Sequence, residues 1–258
     1  MPFTLAHPAA VLPLARRPLV ASALVAGAVA PDLLYVDPIY RLATQYISGN
    51  FTLTLTHEFT SAVWLDPLLA LLMLVVFNLV LKRPLIALAP AGFAARLPSS
   101  ASPSLPWTVV SAIIGAVTHV VWDSFTHGDG FFVRHFPGVF RAAVTPAWDV
   151  NRILQYVSTV GGCLVLAIWL YRWYRRTTPS DTPGDRVPSW LRYVVIAAVT
   201  LLAVTGAVVE LARVDGDLSG ETAIRLVLSG LVSGGLATLA WYVVLWHLAR
   251  LRRRTVTL

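Results

Sequence analysis

Five long apolar runs constrain the fold of this 258-residue chain more than any other feature of its sequence. Each run is close to the roughly 20 residues that an α-helix needs to cross the ~30 Å hydrocarbon core of a bilayer. Hydrophobic residues make up 57% of the chain and charged residues only 13%, which is too little polar surface to cover a water-soluble domain. The sequence therefore predicts an all-α, polytopic helical membrane protein with about five transmembrane helices. The runs are Ser61–Leu81, Trp107–Phe125, Ile153–Leu170, Trp190–Leu211 and Leu226–Leu248.

The N-terminal part carries two shorter apolar stretches, Leu5–Ala15 and Leu19–Ala30, which are separated by Arg16-Arg17-Pro18. This arrangement predicts a short helical hairpin. The alternative is a signal peptide, because Ala28-Val29-Ala30 resembles a small-residue cleavage site after an apolar stretch. Pro31 follows that tripeptide directly and argues against cleavage, so we expect the hairpin to be retained.

We expect the whole chain, residues 1–258, to form a single integral-membrane domain. Gly230 and Gly234 form a G-x-x-x-G pattern in the last run, which predicts close packing of two helices. The only cysteine, Cys163, excludes both an internal disulfide and a cysteine-based metal cage. The expected parts of the domain are the N-terminal hairpin (1–36), the helices that carry the candidate site (61–170) and a C-terminal helix pair (190–249).

Basic residues concentrate in every second connection between the apolar segments and after the last run. Under the positive-inside rule these connections and the C-terminus face the cytoplasm, and the remaining connections face outward. Arg134, Arg141 and Arg152 depart from the pattern because they lie on the predicted outer side. The net charge of +7 therefore indicates contact with anionic lipid rather than with nucleic acid. The basic set is Arg16, Arg17, Lys82, Arg83, Arg96, Arg172, Arg175, Arg176, Arg186, Arg250, Arg252, Arg253 and Arg254.

A stripe of ionisable residues in the run Trp107–Phe125 and just beyond it indicates a functional site, because an unpaired charge at the centre of a span costs ~2.5 kcal/mol or more. His119, Asp123 and His127 are spaced i, i+4 and i+8, which predicts one helix face. The helical rise separates the two histidines by ~12 Å. We therefore expect Asp123 to be a shared ligand. Either it holds one ion together with a neighbouring histidine, or its carboxylate bridges two ions. The alternative is a simple polar pair between Asp123 and one histidine.

Other segments carry further candidates: His7 opens the hairpin, Asp32 closes it, and His57-Glu58 precede the next apolar run. Each hairpin arm rises by ~15 Å, which returns His7 and Asp32 to a similar depth. The predicted orientation brings all these segments to the outer side, so we expect one shared site there. The alternative is that His7 is a frayed N-terminal residue, Asp32 a solvated helix end and His57-Glu58 a solvated interface loop. The expected supporting residues are Asp66 and Gln155, whereas His135 and His247 are expected to lie outside the site.

The motifs around these residues resemble the bacterial membrane-protein family catalogued as domain of unknown function 4184, over nearly the whole chain. They are also distantly similar to inner-membrane metal-dependent hydrolases and to zinc-dependent phospholipase C. This distant similarity implies a set of metal ligands, joined by His127: His7, Asp32, His57, His119 and Asp123. The motifs are Met1 to Pro8, Ala30-Pro31-Asp32, Thr56-His57, Asp66-Pro67, Thr118-His119 through Asp123 to Gly130, and Leu154-Gln155-Tyr156.

The resulting expectation is a zinc-type hydrolase embedded in the bacterial cytoplasmic (inner) membrane, with its C-terminus in the cytoplasm. Zn²⁺ or another divalent transition metal suits imidazole and carboxylate ligands and activates water. His127 or Glu58 is the expected proton shuttle, and a lipid-like or phosphoester substrate at the outer interface is expected. The alternatives are a non-catalytic metal-binding or transport-associated membrane protein, and a packing scaffold. The expected partners are the lipid bilayer and a small amphiphile, with no nucleic acid.

Overall fold

The computed structural model of the protein describes residues 4–36, 39, 55–97, 104–180, 186–214 and 220–255, and most of these residues are helical. Two short strands, β1 (Ala143–Thr145) and β2 (Trp148–Asp149), pair antiparallel. The α-helices are α1 (Pro8–Val11), α2 (Ala21–Val29), α3 (Leu65–Val76), α4 (Lys82–Leu88), α5 (Ala91–Ala94), α6 (Leu105–Thr126), α7 (Phe131–His135), α8 (Pro137–Phe140), α9 (Val150–Arg176), α10 (Ser189–Ala212) and α11 (Gly220–Thr255). The 3-10 helices are Thr4–Ala6, Leu12–Leu14, Ala30–Tyr35 and Ser61–Val63, and a π-helix at Phe77–Leu81 lies between α3 and α4.

Five helical segments of the described chain are long and apolar enough to span a membrane, in agreement with the five apolar runs. Many of their large apolar side chains are exposed, among them Leu201 at 66% and Val157 at 64%. Such side chains are stable in lipid but unfavourable in water. The prediction of an all-α, polytopic membrane protein is confirmed. The segments are Leu65–Leu88, Leu105–His135, Val150–Arg176, Ser189–Ala212 and Thr222–Arg252.

The predicted N-terminal hairpin is confirmed as two shorter apolar helical segments, Thr4–Leu14 and Ala21–Tyr35. The two arms pack on each other through buried side chains, with Val11 on the first arm and Leu24 on the second. Neither segment reaches the ~20 residues that a full span needs. The hairpin brings its two ends, which carry His7 and Asp32, together beside α6.

Small residues allow α2 to pack very closely against α6. A Cβ atom on Gly27 would overlap the backbone carbonyl of Ala112, and one on Gly115 would overlap the carbonyl of Leu24. Buried alanines continue the contact, since Ala26 and Ala112 belong to one cluster. Close backbone approach through small residues is typical of helices in membranes, where packing rather than hydrophobic burial drives association. This contact fixes the height of α6 relative to the hairpin.

The chain's internal contacts form two compact units. The first contains described residues within 1–35, 39–76 and 98–178, and it includes every predicted site residue. The second contains described residues within 36–38, 77–97 and 179–258, and its main elements are α10 and α11. A Cβ on Gly230 would overlap Gly206, and one on Gly234 would overlap the carbonyl of Leu202, which confirms the close packing predicted from G-x-x-x-G. The single-domain organisation remains a prediction.

Candidate metal centre

Helix α6 contributes the first pair of site residues, His119 and Asp123. They lie one turn apart, and Nε2 of His119 is 3.2 Å from Oδ2 of Asp123. The His119 side chain is fully buried. Its other ring nitrogen, Nδ1, lies 2.8 Å from the backbone carbonyl oxygen of Ala28, across the close contact between α2 and α6. The packing of small residues described above therefore positions this imidazole.

His127 joins the same cluster one helical turn after Asp123, at the point where α6 ends. The helix stops at Thr126, and His127 has an extended backbone with φ −86° and ψ 141°. Its backbone N–H still donates to the carbonyl of Asp123 at 2.9 Å, and its Nδ1 lies 3.3 Å from Oδ2 of Asp123. The ~12 Å helical rise between His119 and His127 overestimates the distance between their imidazoles, because the side chains turn toward the shared carboxylate.

The N-terminal hairpin supplies His7 and Asp32, as its geometry predicts. Nε2 of His7 lies 3.4 Å from Oδ1 of Asp123, on the carboxylate oxygen that the α6 histidines leave open. The His7 ring stacks on the His119 ring with centroids 3.8 Å apart, and the Trp122 ring meets it edge-on at 6.4 Å. Asp32 is also buried, and its Oδ1 lies 3.7 Å from Nε2 of His119.

The segment before α3 supplies His57, which connects the two carboxylates. Nε2 of His57 lies 3.3 Å from Oδ1 of Asp32 and 3.4 Å from Oδ2 of Asp123. On the other side of the ring, Nδ1 lies 3.1 Å from the hydroxyl oxygen of buried Thr56, and the Tyr35 ring packs edge-on at 5.3 Å. Four imidazoles therefore surround the single carboxylate of Asp123.

The facing atoms of this cluster fit a metal ion. Asp32, His57, His119 and Asp123 each offer one ligand atom, and these four atoms lie within 4.8 Å of one another. Nitrogen and oxygen ligands of this type suit Zn²⁺ and similar divalent transition ions. The buried atoms of the cluster that have no hydrogen-bond partner among the described residues are His7 Nε2, Asp32 Oδ1 and Oδ2, His57 Nε2, His119 Nε2, Asp123 Oδ1 and Oδ2, and His127 Nδ1 and Nε2.

The electrostatics of the cluster differ from one histidine to another. Burial, assisted by His119, lowers the pKa of His7 to about 4, so that imidazole is neutral at pH 7. Burial also opposes the charge on His57, but the carboxylates of Asp123 and Asp32 outweigh it and raise the pKa of His57 to about 9. The pKa of Asp32 itself is lowered despite its burial, because His57 and His119 stabilise the carboxylate. Such opposed shifts are typical of functional sites.

Asp66 supports the His57 segment rather than touching the cluster through a described contact. The Ser61 hydroxyl donates to the backbone carbonyl of Glu58 at 2.7 Å and lies 3.1 Å from Oδ2 of Asp66. Both Ser61 and Asp66 are fully buried. The Glu58 side chain, in contrast, is exposed. The structure thus brings His57 into the cluster and leaves the neighbouring Glu58 carboxylate outside it.

The described contacts of the remaining polar candidates include none of the six clustered residues His7, Asp32, His57, His119, Asp123 and His127. Gln155 is buried on α9, where its backbone carbonyl accepts hydrogen bonds from Ser158 and Thr159. His135 is exposed, with its Nδ1 2.8 Å from the carbonyl of Phe131. His247 lies in the second unit. Sequence reasoning did not select Ser61 or the Ala28 carbonyl, and only the general preference of serine for turns could have pointed to Ser61.

The fold and the cluster define a helical membrane protein with a buried His/Asp group that could hold a metal ion. The chain belongs to the family described as Domain of unknown function (DUF4184), which matches residues 1–245. No curated protein and no solved structure matches the chain. The family resemblance seen in the motifs is confirmed, and the distant similarity to metal-dependent hydrolases stays a prediction.

Proposed function

We propose that this protein is a membrane-embedded, metal-dependent hydrolase. Its ion would be held by the four residues whose ligand atoms lie within 4.8 Å of one another. The observation that carries the proposal is that three separate chain segments aim buried carboxylate and imidazole atoms at one point, where the facing atoms lie 3.2 to 3.7 Å apart. Two buried carboxylates held this close together are costly unless they are paired, and a cation would pair with both carboxylates and with the two imidazole nitrogens at once. The four residues are Asp32, His57, His119 and Asp123.

When bound, a divalent transition ion such as Zn²⁺ would polarise a substrate oxygen and lower the pKa of a coordinated water. The protein's own side chains would orient the ligands and transfer the proton. Asp123 orients the four imidazoles that contact it. His127 faces Asp123 through Nδ1, and its Nε2 has no hydrogen-bond partner among the described residues, so we assign proton transfer to Nε2 of His127. The exposed Glu58 is the alternative shuttle.

A cavity linked to the cluster through Trp122 supports a lipid-like substrate. It has a volume of about 450 Å³ and is lined by residues of α1, α6 and α9. Trp122 lines it and also contacts the edge of the His7 ring. The hydroxyls of Thr118 and Ser158 line it too, but each donates to a carbonyl of its own helix, at 2.7 and 3.0 Å. The cavity therefore suits an apolar chain, and the cleaved phosphoester of the same molecule would lie at the ion.

We place the site at the outer interface of the bacterial cytoplasmic membrane, with the C-terminus in the cytoplasm. The distribution of arginines supports this orientation. Fusions to the C-terminus test it, because green fluorescent protein fluoresces only inside and alkaline phosphatase is active only outside. We expect a fluorescent and phosphatase-inactive C-terminus. The reverse result would move the site to the cytoplasmic face.

Metal content and turnover together test the hydrolase itself. The purified protein in lipid nanodiscs should bind a transition ion in stoichiometric amount and release product from fluorescent phosphatidylglycerol or from bis(p-nitrophenyl) phosphate. His119→Ala should abolish both ion binding and turnover, whereas His135→Ala, at an exposed position, should change neither. Ion binding without turnover of either probe would remove the catalytic assignment, and the absence of ion binding would remove the whole proposal.

The second candidate function is non-catalytic metal binding, and the depth of the cluster favours it. Asp32, His119 and Asp123 are 2%, 0% and 4% exposed, so three of the four proposed ligands are enclosed by the protein. An open coordination position is the feature that separates catalytic from structural sites. The absorption spectrum of the cobalt-substituted protein decides between them: a shift on addition of azide indicates an open position, and an unchanged spectrum favours the binding role.

A further inference from the structure

The second unit contains a cavity of about 750 Å³ between α10 and α11, and its lining includes no residue of the proposed metal centre. Its walls are apolar and aromatic, with Leu191 and Val195 on α10 and Trp241 on α11. Its charged lining residues are two arginines, Arg186 and Arg250. Among its described lining residues none is acidic. The cavity therefore combines positive charge with a hydrophobic interior.

The two arginines lie at one end of the cavity, and the apolar lining continues from there to the other end. Arg186 precedes the first residue of α10, and the lining on that helix continues to Ala198. Arg250 lies near the end of α11, and the lining on that helix begins at Thr238. At 1.5 Å per residue, the cavity extends along the helices by roughly 13 to 18 Å. This is about half of the ~30 Å hydrocarbon core, which is the depth of one leaflet.

The basic end is built for an anion. The guanidinium carbon of Arg250 lies 5.2 Å from the centroid of the Trp246 ring, a cation–π geometry that holds the guanidinium beside the cavity. Arg186 lies at the other side of the same end and is exposed. Two guanidinium groups around one opening form the pattern that recognises phosphate.

The two hydroxyl groups at the deep end of the cavity are bonded within the protein. The hydroxyl of Thr238 donates to the carbonyl of Gly234 at 2.8 Å, and the hydroxyl of Tyr242 donates to the carbonyl of Pro84 at 2.9 Å. These hydroxyls are therefore satisfied within the protein. A ligand that reaches this end gains mainly van der Waals and hydrophobic contact, as an acyl chain does.

We propose that this cavity is a binding site for one anionic phospholipid. Its phosphate lies between Arg186 and Arg250, and one acyl chain lies along α10 and α11 as far as Ala198 and Thr238. Charge complementarity selects an anionic headgroup, and the length and apolar lining of the cavity select a lipid over a small soluble anion. The site is independent of the proposed hydrolase activity, because it lies in the other unit of the chain.

Native mass spectrometry of the full-length protein tests the proposal. The protein is released from nanodiscs that contain equal amounts of phosphatidylglycerol and phosphatidylcholine, and the retained lipids are counted. We expect phosphatidylglycerol to be retained over phosphatidylcholine by roughly tenfold or more. The double variant Arg186→Gln/Arg250→Gln should lose this preference, the charge-preserving Arg186→Lys/Arg250→Lys should keep most of it, and Arg175→Gln, an exposed arginine of the first unit, should keep all of it.

Two further measurements separate a lipid from a free anion. Ala198→Phe fills the deep end without changing any charge, and it should reduce retention of phosphatidylglycerol several-fold while thermal unfolding of the protein stays unchanged. Inorganic phosphate at millimolar concentration should not displace the lipid. Full displacement by phosphate, or unchanged retention in Ala198→Phe, would reduce the site to an anion site and overturn the lipid assignment. Unchanged preference in the double glutamine variant would overturn the proposal entirely.

Discussion

The imidazole of His119 and the backbone carbonyl of Ala28 are joined by a 2.8 Å contact at Nδ1 that decides which ring nitrogen faces the cluster. A carbonyl oxygen only accepts, so Nδ1 carries the proton and donates it. In the neutral ring, Nε2 is then the unprotonated nitrogen, and it lies 3.2 Å from Oδ2 of Asp123. A metal-ligating histidine almost always has this arrangement, with the second nitrogen bonded to a carbonyl or carboxylate.

The first prediction concerns Asp123, because its carboxylate contacts four imidazoles. Asp123→Asn keeps the side-chain volume but removes the negative charge and one acceptor oxygen. We expect ion affinity to fall by more than the about 10–100-fold that follows loss of a supporting hydrogen bond. Elemental analysis of the purified protein measures this loss. His135→Asn is the matched control, and full ion content in Asp123→Asn would show that the ion does not bind at this carboxylate.

The second prediction is a pH dependence of ion binding that comes from His57. The nearby carboxylates raise its pKa to about 9, so without an ion His57 is protonated at pH 7 and must lose that proton to act as a ligand. Between pH 7 and pH 9 this group alone should raise the ion affinity by about tenfold per pH unit, and above its pKa the gain should stop. His7, with a pKa of about 4, adds nothing in this range.

Calorimetry in buffers of different ionisation enthalpy measures the protons released on ion binding. The number at pH 7 should exceed the number at pH 9.5 by about one, because His57 is already neutral at the higher pH. Equal proton release at the two pH values would mean that His57 does not give up its proton to the ion.

The third prediction concerns Ser61, which holds the segment that carries His57. Its hydroxyl donates to the Glu58 carbonyl at 2.7 Å and lies next to Asp66. Ser61→Ala removes this support without removing a ligand, so ion affinity should fall by about 10–100-fold while full occupancy is recovered at high ion concentration. Ser158→Ala is the control, since that hydroxyl donates only to a carbonyl of its own helix. An unchanged titration curve for Ser61→Ala would remove Ser61 and Asp66 from the supporting structure.

Much of the fold could be predicted from the sequence, because the bilayer makes length and hydropathy decisive. The five apolar runs correspond to the five candidate spans, and the break at Arg16-Arg17-Pro18 corresponds to the hairpin. The helical spacing of His119 and Asp123 was also sufficient to predict that they face each other. These features depend on local pattern alone, which is why they could be predicted without coordinates.

The parts that could not be predicted depend on where elements end and cross. The approach of His127 to Asp123 follows from their i, i+4 spacing, as predicted. The extended backbone of His127 depends instead on where α6 ends, and no periodicity rule gives that boundary to one residue. The contact between the Ala28 carbonyl and His119 depends on the register of α2 against α6. Because this contact uses a backbone atom, the residue types in the sequence do not reveal it. The role predicted for Glu58 as a proton shuttle stays a prediction, since the structure shows only that its side chain is exposed.

The last prediction tests whether the crossing of α2 and α6 positions the site. A Cβ on Gly115 would overlap the backbone carbonyl of Leu24, so Gly115→Ala must push the two helices apart and weaken the contact between His119 and Ala28. We expect a loss of roughly 1–3 kcal/mol in the free energy of unfolding, as overpacking typically causes, together with weaker ion binding. Thermal unfolding in detergent and ion titration measure the two effects.

Gly161→Ala is the matched control for this prediction. Gly161 lies on α9, and a Cβ there would meet nothing within 4 Å. Alanine is more favourable than glycine in a helix by up to about 1 kcal/mol. Gly161→Ala should therefore leave ion binding unchanged and leave the free energy of unfolding equal or slightly larger. If Gly115→Ala behaves in the same way as Gly161→Ala, the close helix crossing does not hold His119 in place, and the ligand geometry must depend on the loops instead.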